Sequence, residues 1–407
     1  MRLVGEKHVA LLIRSRKNKD IFWACIAGLS LAVPFMFFIW VAVVSVNKSM
    51  IALTKTKIVV NCEIDHNHLN DKGHVMEKIT QCMQVYDPSI VVEDVRNIFS
   101  LYLFPEVQHF LQLGETNMEL TASYSIALGY RDFLSSLLIN KSSCDSNDDY
   151  VYEKLISSLY EHKCIKRVLN YDLIKNGDSI EPVFAGIRSA MLGSMAMLSV
   201  CLLFAAPIGV LTAIYLQEIL PCNSKFKMFL ELGISNLAST PSIIFGIFGL
   251  SLYINYFGVG RGTILVGALT LLFVVLPTVV ISTREGLAAV PYTIREAALA
   301  LGASKLQVVF HFLLPMSMNS VISGILLGMA RIIGETAPLI LVGMSAFVRE
   351  FNVFSNNIVL PVQIYNWSQR PESFFIALTH ILIIILILVL LVFNIIADIF
   401  RRKSNTY

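Results

Sequence analysis

Six stretches of this chain are longer and more apolar than a soluble fold can use. A helix that crosses a bilayer needs about 20 consecutive, mostly apolar residues. Ile21–Val46, Ser189–Leu216, Gly233–Tyr256, Thr263–Ser282, Ser317–Phe347 and Phe374–Ala397 all meet that demand. A hydrophobic content of 55% across 407 residues agrees with a membrane body. The apolar part of the first stretch exceeds the ~7–15 residues of a cleavable signal, so it is expected to stay as an anchor.

Charge orients these spans. Arg2, Lys7, Arg14, Arg16, Lys17 and Lys19 precede the first, and Arg401, Arg402 and Lys403 follow the last. Lys and Arg accumulate on the cytoplasmic side, so both termini are expected there, which six spans satisfy. The loops carrying Lys225 and Lys227, and Arg284, Arg295 and Lys305, then face inward too. Residues 1–20 form a basic N-terminus, 21–46 the first span, 186–398 a five-span core and 399–407 a basic tail. The insert between the first two spans, 47–185, is placed outside. Its net charge of −6 contrasts with +9 for the rest. Within it, "SIVVEDVRNIFSLYL" and "YEKLISSLYEHKCIKRVLNY" read as helices, and "DHNHLNDKGH" and "KSSCDSNDD" as loops.

Four of the seven cysteines, Cys62, Cys82, Cys144 and Cys164, fall in that insert. An oxidising exterior permits disulfides. Cys62–Cys82 and Cys144–Cys164 are the favoured pairs, because each closes a short loop; four thiols are the alternative. Cys62, Asp65, His66, His68 and His74 are zinc-ligand types, but their spacing matches no standard metal motif, and a solvated polar loop is expected, with no metal. There is no G-x-x-x-x-G-K-[ST] loop, G-x-S-x-G elbow or H-E-x-x-H pair. The chain is therefore not expected to be an enzyme or to carry a cofactor, and any ATP hydrolysis belongs to another subunit.

Between the fourth and fifth spans lies "REAALALGASKLQVVFHFLLP", residues 295–315. Arg295 to Leu301 favour helix, Gly302 can end it in a left-handed turn, and a second helical stretch leads to Pro315. The result is a helix–Gly–helix elbow across the inner face. It suits a docking partner, or an ordinary amphipathic connector. Glu296-Ala297-Ala298, Gly302 and the later Pro315 resemble the EAA loop of ABC importer permeases. "GIRSAMLGSMAMLSVCLLFAAPIGVLTAIYLQE", "GETAPLILVG", "LVGMSAF" and "LPVQIYNW" narrow the resemblance to the phosphate ABC transporter permeases of the PstA type, over roughly 186–398.

That resemblance implies an all-α membrane protein: six transmembrane helices of the ABC importer permease type, with an extracytoplasmic insert between the first and second spans. It implies a bacterial inner-membrane permease for phosphate. Glu296, Ala297, Ala298, Gly302 and Pro315 would couple it to the ATPase. The implied partners are a second homologous permease, two ATPase subunits, an extracytoplasmic phosphate-binding protein and the lipid bilayer, with no nucleic acid. The family often places an arginine shortly after the "LP" that precedes the elbow; after Leu276-Pro277 this chain has Ile281 there, with Arg284 one turn on.

The fifth span poses the sharpest question. From Met316 to Phe347 only Arg331 and Glu335 are charged. A charge at the bilayer centre costs about 2.5–3.5 kcal/mol on insertion scales. Four residues apart, the two share a helix face and offset each other. Gly324, Gly328, Ala330 and Gly334 let a neighbour approach, and Pro338 frees the Gly334 carbonyl. An arginine fork suits a tetrahedral oxyanion, and a nearby carboxylate weakens its hold so that the ion can leave. Arg331, Glu335, Thr336 and Pro338 are therefore expected on the substrate path, directed to the bundle interior. A merely structural ion pair is the simpler reading. Other functions remain: a molybdate or sulfate importer, a proton-driven carrier, or a membrane sensor.

Overall fold

The computed structural model describes residues 23, 28–30, 32–50, 52–61, 72–85, 117–121, 160, 164–180, 184–221 and 223–404. The apolar runs become helices. The first, α1, is Gly28–Ser49. The insert follows, with β1 (Thr54–Asn61), α2 (Lys72–Met83), β2 (Asn117–Thr121), β3 (Ile165–Leu169) and the single turn α3 (Asp172–Lys175). The body comprises α4 (Arg188–Ile214, extended by a π turn to Ile219), α5 (Lys225–Ser239), α6 (Ser242–Gly249, extended to Tyr256) and α7 (Ile264–Ala289). Then come α8 (Tyr292–Ala300), α9 (Lys305–Val308), the π turn Val309–Leu313, α10 (Leu314–Ile333), α11 (Ala337–Leu341), α12 (Leu360–Ser368) and α13 (Ser373–Ser404).

Five of these helices are long and apolar enough to cross a membrane, and α5 plus α6 make a sixth if taken together. That pair corrects the straight span expected at Gly233–Tyr256, because it bends by 101°. Pro241 sits at the bend with an extended ψ of 136°, after Thr240 at ψ 132°. A proline disfavours helix in the residue before it, and here the Ser239 and Thr240 hydroxyls both donate to the Asn236 carbonyl and close α5, whereas α4 and α7 carry Pro207 and Pro277 without a break. The fifth span also ends early. Helix α10 stops at Ile333, and the rest of the expected Ser317–Phe347 run forms α11 and a loop.

Helix α7 lies at the centre, with α4 on one side and α10 on the other. Small residues allow this. A Cβ on Gly324 would run into Ser282, one on Gly328 into Val275, and one on Gly286 into Ser320. In lipid, where apolar tails surround every helix, such close approach is what drives association. Gly324→Leu is therefore expected to force α7 and α10 apart and destabilise the chain by about 1–3 kcal/mol. A thermal melt in detergent checks this; an unchanged midpoint would contradict it.

At one end of the body the insert leads into α4, and at the other α7 leads into the elbow. In the insert, β1 is central in an antiparallel sheet ordered β2–β1–β3, with Ile58 opposite Leu120 on one side and Ile165 on the other. The segment "CIKRVLNY", expected as helix, is in part this third strand. Pairing with β1 overrides the local helical pattern. Similarly α2 begins within the expected 65–74 loop and packs on β1, with Val75, Ile79 and Met83 buried. The other expected insert helix, at 89–103, lies outside the described residues. The sheet is strapped to α3 where the Lys55 ammonium meets Asp172 at 2.6 Å and lies over the Phe184 ring, and α3 is in turn joined to the start of α4, where the Ile187 amide donates to the Leu173 carbonyl at 2.8 Å. The Asn170 side chain also donates to the Ala52 carbonyl.

Candidate functional site

At the elbow end the residues 292–315 fold as the spacing predicts. Helix α8 ends at Ala300, and Gly302 has φ +86°. A side chain is strained in that left-handed region, which is why glycine stands there. Ser304 then caps α9 in a reciprocal capping box with Gln307, so the second arm starts at a fixed angle. The elbow sits on an apolar base. Ala298, Val308, Val309 and Leu313 pack with Ile214 of α4 and with Leu287 and Val290 at the end of α7. Ala298 thus seats the elbow, whereas Glu296, Ala297, Gly302 and Pro315 are exposed. Leu301 at the tip is 89% exposed, flanked by exposed Leu299 and Leu306. A preformed apolar tip rimmed by charge suits insertion into a protein cleft.

One residue holds this elbow to the bundle, and sequence reading used it only as an orienting charge. The Arg295 guanidinium donates to both Glu218 carboxylate oxygens, at 2.8 and 3.3 Å. It also donates to the Leu287 carbonyl at 2.7 Å and the Val290 carbonyl at 3.0 Å. Both ionic side chains are largely buried. The fork therefore ties three elements together: the far end of α4, the last turn of α7 and α8. The signal was available in sequence, as a glutamate closing one span and an arginine opening the elbow, but the partners are 77 residues apart. A second pair, Arg284 with Glu231 at 2.6 Å, joins α7 to α5.

The intramembrane pair is looser. Gly328 faces Val275 near the middle of α7, so Arg331 lies about one turn from mid-span toward the sheet end. Arg331 Nε and Glu335 Oε1 are 4.0 Å apart, beyond direct hydrogen-bond range. Glu335 lies past the helix end, its amide bonded to the Ile332 carbonyl. The Arg331 side chain is 42% exposed. Glu335, at 22%, is half-buried; of the pair that the sequence directs to the bundle interior, Arg331 thus lies on the surface of this chain's helices. Thr336 is half-buried beside it, and Pro338 is buried, its backbone against Gly246 of α6. Arg331, Glu335 and Thr336 therefore cluster at the break, while Pro338 anchors it.

Of the insert's expected site residues, Cys82 is disulfide-bonded. Cys62 and Cys144 lie outside the described residues, and Cys164 is buried just before β3. Asp65, His66 and His68 also lie outside the described residues, and His74 is in α2.

Residues 205–405 match the family model described as "Binding-protein-dependent transport system inner membrane component". A "Phosphate transport system permease protein PstA" of Mycobacterium leprae is 37% identical over 47% of this chain and 62% of its own length. The protein of the same name from Haemophilus influenzae is 34% identical over 50% of this chain and 71% of its own length. The chain thus spans somewhat under two thirds of the first of these relatives. Among solved structures, inward-facing conformations of the MetNI methionine ABC transporter align at 17% identity, over 54% of this chain and 94% of that chain, with a TM-score of 0.41.

Proposed function

We propose that this chain, which belongs to the family of binding-protein-dependent transport system inner membrane components, is the permease subunit of an ATP-driven phosphate importer. The observation that carries this reading is the elbow: a capped, exposed apolar tip tied by Arg295 to two membrane helices. Such a part transmits force from a docked partner. With no nucleotide loop in the chain, the force comes from separate ATPase subunits, two of them in the assembly we infer. Phosphate is inferred from the names of the relatives and from the Arg331–Glu335 break.

In this scheme the elbow end and both termini face the cytoplasm, and the sheet end faces outward. A second, homologous permease covers the surface that carries Arg331, so the pair lies on a path between two subunits rather than inside one. The arginine attracts the oxyanion, the carboxylate limits how tightly it is held, and Thr336 offers a hydroxyl. Closing of the ATPases draws the two elbows together and rocks the half-bundles from inward-open to outward-open. A phosphate-binding protein delivers the ion to the sheet end. In the insert, Cys62–Cys82 remains our reading of the Cys82 bond, and peptide mapping without reductant tests it.

The test of the function is uptake by the assembled transporter in proteoliposomes. Labelled phosphate should enter only with ATP and an active ATPase partner, and unlabelled molybdate or sulfate should compete poorly. Uptake driven by a proton gradient with an inactive ATPase would replace this reading with a proton-coupled carrier. Strong competition by molybdate or sulfate would keep the permease and change its substrate.

A further inference from the structure

A cavity of about 680 Å³ opens at the sheet end, between Lys175–Ser179, the start of α4 and Arg349–Phe351. It runs against the charge of its surroundings. The insert is acidic, yet this cavity is lined by Lys175, Arg188 and Arg349, with Asp178 and Glu350 as its carboxylates. Among the described residues, Lys175 and Arg188 make no ion pair. The Asp178 carboxyl is already engaged: its Oδ1 accepts from the Trp367 indole at 3.0 Å and from the Ser179 amide at 3.0 Å. Burial pushes its pKa up, against the lowering pull of its hydrogen bonds and of Arg370.

Two further features face the same space. The N-terminus of α4, a helix of 27 residues, opens onto it, and Ile187 at the cap offers no side-chain acceptor. Ser189, in the first turn, is 97% buried and lines the cavity, and its hydroxyl has no hydrogen-bond partner. A buried hydroxyl without a partner is costly unless something arrives to meet it. The walls are also fixed in place. The Asp178 amide bonds the Val348 carbonyl at 3.1 Å, and Gly177 packs so closely on the Arg349 carbonyl that no side chain would fit.

We infer that this cavity is a preformed oxyanion site that takes a phosphate group, held by Arg188, Arg349 and Lys175, the Ser189 hydroxyl and the start of α4. Guanidinium forks and a helix N-terminus are the standard partners of such a group. The group comes from one of two sources: inorganic phosphate waiting at the mouth of the path, or the headgroup of an anionic lipid. Only the first source rests on the function proposed above.

Binding to the purified full-length chain tests this without reference to transport. One arm measures labelled inorganic phosphate by equilibrium dialysis in detergent. The other measures retained phosphatidylglycerol by native mass spectrometry. Arg188→Gln/Arg349→Gln removes two exposed charges, and Ser189→Ala removes only the hydroxyl. The double variant is expected to lose at least tenfold in affinity for whichever group binds, and Ser189→Ala a smaller part of it, with melting temperatures near wild type. Phosphate binding lost in the double variant identifies the ion as occupant. Lipid retention lost in the double variant identifies the headgroup, and leaves the transport reading standing. Equal binding by wild type and double variant in both arms overturns the site. Should the double variant melt early, Ser189→Ala and Lys175→Gln decide by the same readouts.

Discussion

Arg295→Ala is expected to cut ATP-driven uptake at least tenfold while ATP hydrolysis by the assembled complex persists. The side chain, on α8, makes four hydrogen bonds to two other elements, α4 and the end of α7. Its loss leaves the Glu218 carboxylate alone in a largely buried place and takes a donor from the Val290 and Leu287 carbonyls, the second of which keeps only the Val290 amide at 3.4 Å. Removing one partner of a buried pair costs on the order of 3–5 kcal/mol. That free energy is lost where the elbow meets the bundle, so the tip can still dock but no longer moves α4 and α7 with it. Arg295→Lys should recover little, because an ammonium cannot make the two-pronged contact. Arg295→Met/Glu218→Leu separates stability from coupling. It removes both charges and should melt close to wild type, yet stay uncoupled. Normal uptake by an assembled Arg295→Ala complex would refute the role.

The second large effect concerns the break after α10. Glu335→Ala and Arg331→Ala are each expected to lower phosphate uptake tenfold or more with assembly intact. The controlling variant is Arg331→Leu/Glu335→Leu. If the two charges only balance each other, each single change strands one charge at about 2.5–3.5 kcal/mol, and the double change relieves it. Uptake would then return. If the charges handle the oxyanion, the double variant stays inactive although it inserts and assembles well. The 4.0 Å separation and the exposure of Arg331 favour the second outcome, because a purely structural pair gains most when tight and enclosed.

Much of this architecture was legible in the sequence, for a physical reason. Apolar runs of bilayer length admit few structures other than helices, and E-A-A-x3-G fixes a turn by the chemistry of one glycine. Both are local signals. What escaped was non-local or depended on a partner. Strand β3 exists because β1 lies beside it, and its own residues do not forbid a helix. The bend at Pro241 was open to notice, since this proline stands among Ser235, Asn236, Ser239, Thr240 and Ser242, unlike Pro207 and Pro277, which α4 and α7 carry without a break; the apolar residues on either side masked it. The clamp between Glu218 and Arg295 needed two residues far apart in the chain to be brought together by folding. The Arg331–Glu335 pair was found from composition alone, but its facing was not, because helical spacing does not say which side a neighbouring subunit occupies.

Helix α4 with its π turn runs 32 residues, Arg188–Ile219, or roughly 48 Å at 1.5 Å per residue. One tip is pinned beside the Lys55–Asp172 strap, and the other is gripped by Arg295. It is continuous through Pro207 and has a handle at each end, so under the proposed function a stroke delivered to the elbow should tilt the three-stranded sheet on the opposite side of the membrane. A spin label on that sheet would then report the nucleotide state of a motor it never touches.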